Sequence, residues 1–294
     1  TESWLNEKTD NSSRGEVLCL YQMTVYLAFG CSQYLINISD DSGFLILAIM
    51  SVFMSLAIVP VLAAQVKAPE TPAPIRLNFI ELWRTSPSGM TVCFTNGLII
   101  GAVIALGPMY AQLIGMTTAQ ISTFMSAMIF GALLFQWPLG KLSDKIDRRK
   151  VMLFASIATT LLTAIIMVGW HEDIFFTHIS IMLFGGFAYT LYPLAVAYTN
   201  DYLEPNLLVA GAGGLLMANG LGTSLGPLIG SMFVEFSGPN GLFLFCVIVS
   251  LLTCIIIVLR MRERNTINID HQTDFEFAPS TSPIVYELHP GGEG

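Results

Sequence analysis

The chain has 294 residues, of which 53% are hydrophobic and only 12% charged, with a formal net charge of −8. That charged share is about half that of a soluble domain and leaves too little water-facing surface for one. The acidic balance gives no electrostatic footprint for nucleic acid, and none is expected as a partner.

The chain opens on Thr1-Glu2-Ser3-Trp4-Leu5-Asn6 with neither initiator Met nor signal peptide, and it reads as a cut through a longer protein. Apolar segments then follow at 17–36, 43–64, 89–112, 119–139, 150–170, 174–199, 207–234 and 241–260. Each has at least the ~20 residues that a helix needs to cross a bilayer. Barrel strands would alternate apolar and polar residues, and these segments do not, so eight transmembrane helices are predicted.

The cations sit between segments in a regular way. Lys8 and Arg14 precede the first segment, and Lys67, Arg76 and Arg84 lie between the second and third. Lys141, Lys145, Arg148, Arg149 and Lys150 lie between the fourth and fifth, and Arg260, Arg262 and Arg264 follow the last. The alternate connections carry no Lys or Arg. Cationic loops stay inside, so a multi-pass protein of the cytoplasmic membrane with both termini cytoplasmic is predicted.

The longest connection, 65–88, holds Pro69, Pro72, Pro74 and Pro87 and reads as a flexible linker between residues 1–64 and a six-helix unit at 89–260. Residues 261–294 hold Asp270, Asp274, Glu276, Glu287 and Glu293 with a Ser-Thr-Pro-Gly-rich ending, the composition of a disordered cytoplasmic tail. Cys19, Cys31, Cys93, Cys246 and Cys254 lie within predicted spans without metal or redox spacing, so no metal or cofactor is expected.

The run from Gly140 to Lys150, Gly-Lys-Leu-Ser-Asp-Lys-Ile-Asp-Arg-Arg-Lys, resembles the cytoplasmic loop motif G-x-x-x-D-x-x-G-R-[RK] of the major facilitator superfamily, with Asp147 where the pattern has Gly. Glu2-Ser3-Trp4-Leu5, Gly107-Pro108-Met109-Tyr110-Ala111-Gln112 and Phe135-Gln136-Trp137-Pro138-Leu139 resemble its YcaD-like bacterial branch. The resemblance implies helices 5 to 12 of a twelve-helix transporter. These would be the last two helices of the N-terminal half and a complete C-terminal half, monomeric when whole.

Glycine at 140 would let the helix end turn tightly. The resemblance implies that Asp144 meets the start of the eleventh helix, near Asn206, and that Arg148 or Arg149 reaches Asp201 or Glu204. Together these would form a latch at the cytoplasmic side. Positive-inside charge alone is the competing explanation for the five cations.

In segment 207–234, Gly213, Gly222, Gly226, Pro227 and Gly230 are similar to the antiporter motif of drug/proton exchangers, displaced onto the repeat-related helix. Small residues at i and i+4 let helices approach closely, and close packing without any coupling role explains them equally well. No Asp, Glu, Lys, Arg or His lies near the middle of a span. The polar groups at depth are Gln33, Asn96, Gln136, Tyr189, Tyr192 and Asn219, with Gln112 nearer the outer end and Trp137 and Phe187 as aromatic neighbours. They suit a neutral or weakly charged, partly aromatic solute, and each is also explained by a helix–helix hydrogen bond. If protons are the coupling ion, their acid lies upstream or at a span end such as Glu16.

These features predict a secondary transporter working by alternating access. A membrane enzyme or receptor is the alternative, though no nucleophile, paired carboxylates or metal ligands gather at one face. An inactive truncated transporter is the third.

Overall fold

The computed structural model describes residues 14–38, 43–63, 79–168, 173–204 and 207–263, together with Phe275. The described elements are all helical. They are α1 (Arg14–Ser32), a 3-10 turn (Gln33–Ile38), α2 (Phe44–Ala63), α3 (Phe79–Thr85), α4 (Pro87–Leu113), α5 (Thr118–Lys145), α6 (Arg148–Val168), α7 (Ile174–Asn200), α8 (Leu208–Ser237) and α9 (Gly241–Glu263).

Local chemistry sets several boundaries. Pro87 opens α4, where its missing N–H would have been unpaired in any case. A capping box starts α5: Gln120 N–H donates to the Thr117 hydroxyl, and Thr117 N–H donates to Gln120 Oε1 at 2.8 Å. The Asp173 carboxylate accepts from Phe176 N–H to start α7. Gly115 and Gly238 turn the chain after α4 and α8 with φ of 87° and 67°, a region that favours glycine.

Helices α4 to α9 form two three-helix units, α4–α6 and α7–α9, packed reciprocally. The first helix of each unit lies on the second helix of the other: α4 on α8, and α7 on α5. The third helices, α6 and α9, lie on each other. Such exchange is the packing of internal repeats in transporter halves. Two buried apolar layers fill the bundle, one around Leu139, Leu191 and Leu215, the other around Phe124, Phe184 and Phe243.

Six helices among the described residues are long and apolar enough to cross a membrane, α4 through α9. The expected count was eight. The first expected span, 17–36, divides into α1 and the 3-10 turn. There the Ser32 hydroxyl and the Gln33 side-chain amide both donate to the Phe29 carbonyl, competing with the helical pattern. Helix α2 is exposed along most of its length, with Phe44, Met54 and Leu62 each more than 70% exposed.

Two further boundaries differ from expectation. The linker 65–88 was expected to be flexible throughout, yet it contains α3. Leu82 of α3 is 1% exposed, and its side chain fills the space over Gly211 and Gly214 of α8. Burial of that one leucine anchors the helix. The fourth segment was expected to end at 139, but α5 runs on to Lys145. The rest of the linker, with Lys67 and Arg76, lies outside the described residues, as do residues 1–13 and, apart from Phe275, the tail from Arg264 onward.

Candidate functional site

Arg148 is the first residue of α6 and is 1% exposed, among the largest fully buried side chains of the structure. Its guanidinium donates to Asp201 Oδ1 at 3.1 Å and to Asp144 Oδ1 at 3.2 Å. The Asp201 side chain is 3% exposed and sits at the C-cap of α7. A cation at a helix start and an anion at a helix end each oppose the local dipole. Their mutual pairing offsets both penalties and the cost of burying the charges. The cluster therefore ties the ends of α5, α6 and α7 together.

Asp147, standing where the family pattern has Gly, uses its carboxylate locally. It accepts from Arg149 N–H at 3.0 Å, capping α6, and pairs with the Arg149 guanidinium at 2.9 Å. Arg149 thus pairs with Asp147, and Arg148 is the arginine seen on Asp201. Glu204 is exposed and belongs to no ion pair among the described residues. Asn206, expected to receive Asp144, lies outside the described residues. Gly140 does not turn the chain: it lies inside α5, and a side chain there would strike the ring of Phe275.

The glycines of α8 form half of a reciprocal crossing. A Cβ on Gly222 would meet the backbone of Phe94, Gly97 and Leu98, and one on Gly226 the backbone of Leu98 and Ala102. From the other side, Gly97 and Gly101 of α4 meet the backbone of Asn219 and Thr223. Both helices thus present small residues at i and i+4, and α4–α8 is the most extensive helix pairing described. Gly230 abuts Leu106 and Ala102, Pro227 lies within α8, and Gly213 is half-buried. A second close crossing, with Gly131 of α5 on the backbone of Met182 and Gly186 of α7 and Gly185 on the backbone of Met128, was not expected. Its sequence signal was the Gly185-Gly186 pair inside a span.

A cavity of about 640 Å³ opens between α1 and the bundle, lined by Tyr21, Gln22 and Tyr26 of α1, Tyr189 of α7, and Asn219, Thr223 and Ser224 of α8, with Ile100 and Ile104 of α4. A small cavity of about 30 Å³ adjoins it, sharing Tyr26, Ile100, Tyr189 and Asn219 and adding Asn96, Tyr192 and Pro193. The Asn96 amide donates to the Ala188 carbonyl at 2.6 Å and the Asn219 amide to the Cys93 carbonyl at 3.0 Å. Each side chain thus fastens two helices while also lining the cavity wall. The Tyr26 and Tyr189 rings meet edge to face at 6.0 Å. Every lining side chain among the described residues is neutral.

Four of the expected cavity residues come together here: Asn96, Tyr189, Tyr192 and Asn219. Gln136 is buried beside Tyr26, just behind the wall. The others are elsewhere. Gln33 is spent on a local bond in the 3-10 turn, and Gln112 is exposed near the end of α4. Trp137 is 46% exposed and carries the Lys141 ammonium 4.1 Å above its ring. Phe187 packs between Phe135 and Phe154. Tyr21, Gln22 and Tyr26 of α1 join the wall without being expected there. Gln22, Tyr26 and Gly30 recur at i+4 on α1, and this stripe is the one that faces α5, where the Ser126 hydroxyl donates to the Gly30 carbonyl at 2.8 Å.

A bundle of six membrane-crossing helices in two exchanged units, with a basic–acidic cluster at one end and a neutral polar cavity along one side, defines a polytopic membrane protein of the transporter type. The sequence profile of the Major Facilitator Superfamily matches residues 89–285, and the chain belongs to that family. It is similar to YcaD of Salmonella arizonae, an uncharacterized MFS-type transporter, with 27% identity over 251 residues, covering 85% of this chain and 64% of the relative. The YcaD protein of Salmonella typhi is 27% identical over 256 residues, with the same coverage. The uncharacterized MFS-type transporter YE1530 of Yersinia enterocolitica is 24% identical over 270 residues, covering 90% of this chain and 69% of the relative. The chain thus spans about two thirds of the length of these relatives.

Proposed function

We propose that this chain is the larger part of a secondary transporter that moves a small, neutral or weakly charged organic solute across the cytoplasmic membrane by alternating access. The neutral cavity between α1 and α4, α7 and α8 carries the reading. Its volume falls in the ~300–1,000 Å³ range of small-molecule sites, and phenols and amides on an apolar lining suit a partly aromatic solute. Amides that both hold two helices and face the cavity would let an occupant feel, and alter, the helix arrangement.

In this reading the protein has twelve spans in two halves, of which α1 and α2 are the last of the first half and α4–α9 the whole second half. Helix α2, apolar and exposed along most of its length, suits a span whose bundle partners belong to the missing helices. Both termini are cytoplasmic, as the Lys/Arg bias of the loops requires. The Arg148 cluster then lies on the cytoplasmic side and acts as a latch, closed in one state of the cycle and broken in another. The transporter works as a monomer. A proton, if it is the coupling ion, is carried by an acid outside α4–α9, because the described cavity wall offers none.

The test is solute accumulation by proteoliposomes holding the protein with its upstream helices. Screening uncharged aromatic solutes should yield one whose uptake is abolished by Asn219→Leu, which fills the cavity. The function is refuted if no solute accumulates above protein-free vesicles. In this reading the 294 residues alone should insert and yet accumulate nothing, since a rocking cycle needs both halves.

A further inference from the structure

Phe275 follows the last helix in sequence, yet two separate contacts seat it at the end of α5. Its ring lies against Gly140, where any Cβ would collide with the ring edge. Its backbone N–H donates to Asp144 Oδ1 at 2.9 Å, one turn further along the same helix. The ring also packs on the buried apolar layer that includes Leu139 and Val151. Glycine inside a helix is unfavourable relative to alanine, so a bare position at 140 calls for a reason, and the seated ring supplies one. Charge favours the same placement. Asp274 and Glu276 flank Phe275 in the sequence, and the end of α5 carries Lys141 and Lys145.

We infer that the chain's own C-terminal tail docks on the end of α5, with Phe275 as its anchor, Gly140 as the socket and Asp144 as the hydrogen-bond acceptor. Asp144 Oδ1 serves Phe275 N–H and the Arg148 guanidinium together, so tail docking and the Arg148 cluster are coupled through one carboxylate. A docked tail orients Asp144 toward Arg148 and supports the closed arrangement of the α5, α6 and α7 ends. Separation of those ends withdraws a charge partner from Asp144 and weakens the hold on the tail. By linkage the effect is reciprocal: releasing the tail loosens the cluster. The docking rests on the geometry of the α5 end and holds whether or not the protein carries a solute.

Disulfide trapping in the membrane-embedded chain tests it, with the five native cysteines replaced by alanine. Lys141→Cys with Glu276→Cys, which leaves Gly140 and Phe275 intact, should oxidise roughly tenfold faster than Lys141→Cys with Ser282→Cys, and adding Asp144→Ala should slow the first pair about tenfold, the scale of one charge-assisted hydrogen bond. Equal rates for the two pairs, or no effect of Asp144→Ala, overturn the inference. A second measurement leaves the cysteines alone. Chymotryptic cleavage of the Phe275–Glu276 bond, followed by mass spectrometry, should be about tenfold faster in Gly140→Val than in the unaltered chain, because the added side chain evicts the ring. Cleavage at the same rate in both chains also overturns it.

Discussion

The Arg148 guanidinium lies 3.1 Å from the Asp201 carboxylate, joining the start of one helix to the end of another across 53 residues of sequence. Both side chains are almost fully buried, at 1% and 3% exposure, so neither charge is solvated once its partner is lost. Asp201→Ala leaves Arg148 with Asp144, whose side chain is 30% exposed, and should cost about 3 kcal/mol. Arg148→Ala takes the cation away from both carboxylates and should cost at least as much. Thermal unfolding in detergent would measure both. A melting temperature unchanged in Asp201→Ala would show that the pair contributes nothing to holding these helix ends together.

Two glycines of α8 should respond in opposite ways to the same substitution. A Cβ on Gly226 meets the backbone of α4, which cannot step aside, so Gly226→Leu should destabilise by at least ~3 kcal/mol or prevent folding. Gly220, two turns away, meets nothing within 4 Å and lines the cavity. Gly220→Leu should therefore keep normal stability while shrinking the cavity. Size-exclusion profiles and melting curves of the two variants make the comparison, and equal stabilities would remove α4–α8 from the list of close crossings.

Leu82 is the buried residue of the short helix α3 and fills the gap above Gly211 and Gly214. Leu82→Ala should cost about 2–5 kcal/mol, and partial collapse of the site would bring it toward the lower figure. It should also free the helix. Amide hydrogen exchange over Phe79–Thr85 should rise to the rate of an unprotected segment, while exchange in α4 stays slow. Protection unaltered in the variant would mean that something other than Leu82 holds α3.

In the cavity, Tyr189→Phe keeps the edge-to-face contact with Tyr26 but removes the hydroxyl. If a solute hydrogen-bonds there, its affinity should fall by about 0.5–1.5 kcal/mol, read as a severalfold rise in KM with little change in thermal stability. Asn219→Ala should do both, since its amide also holds the Cys93 carbonyl. An unchanged KM in Tyr189→Phe would place the solute away from α7.

Much of the helical content was legible because it depends on local composition. Long apolar runs bounded by Pro87, Thr117 and Asp173 fold as helices whatever surrounds them. Segment 174–199 differs from α7 by a single residue. Boundaries failed where a polar or glycine residue was read without its neighbours. Gly140 suggests a turn by conformational freedom alone, yet in the folded chain it is helical and its bareness makes room for Phe275, far along the sequence. Ser32 and Gln33 look compatible with a continuing span until both side chains compete for the Phe29 carbonyl.

The sequence by itself determined that the chain lives in a membrane and that its charges gather at helix ends, because hydropathy and charge are properties of single residues and their near neighbours. It also carried the family's loop motif, whose residues are contiguous. The tertiary structure decided which arginine reaches Asp201, which amides line the cavity, and that Tyr21, Gln22 and Tyr26 join them. Those outcomes turn on the rotation of each helix about its axis. Rotation is settled where Gly97 and Gly101 meet the α8 backbone, Gly222 and Gly226 the α4 backbone, Gly131 the α7 backbone and Gly185 the α5 backbone, contacts between residues distant in sequence. An apolar helix in lipid has no strong amphipathic stripe to announce that rotation, so only the packing of its partners sets it.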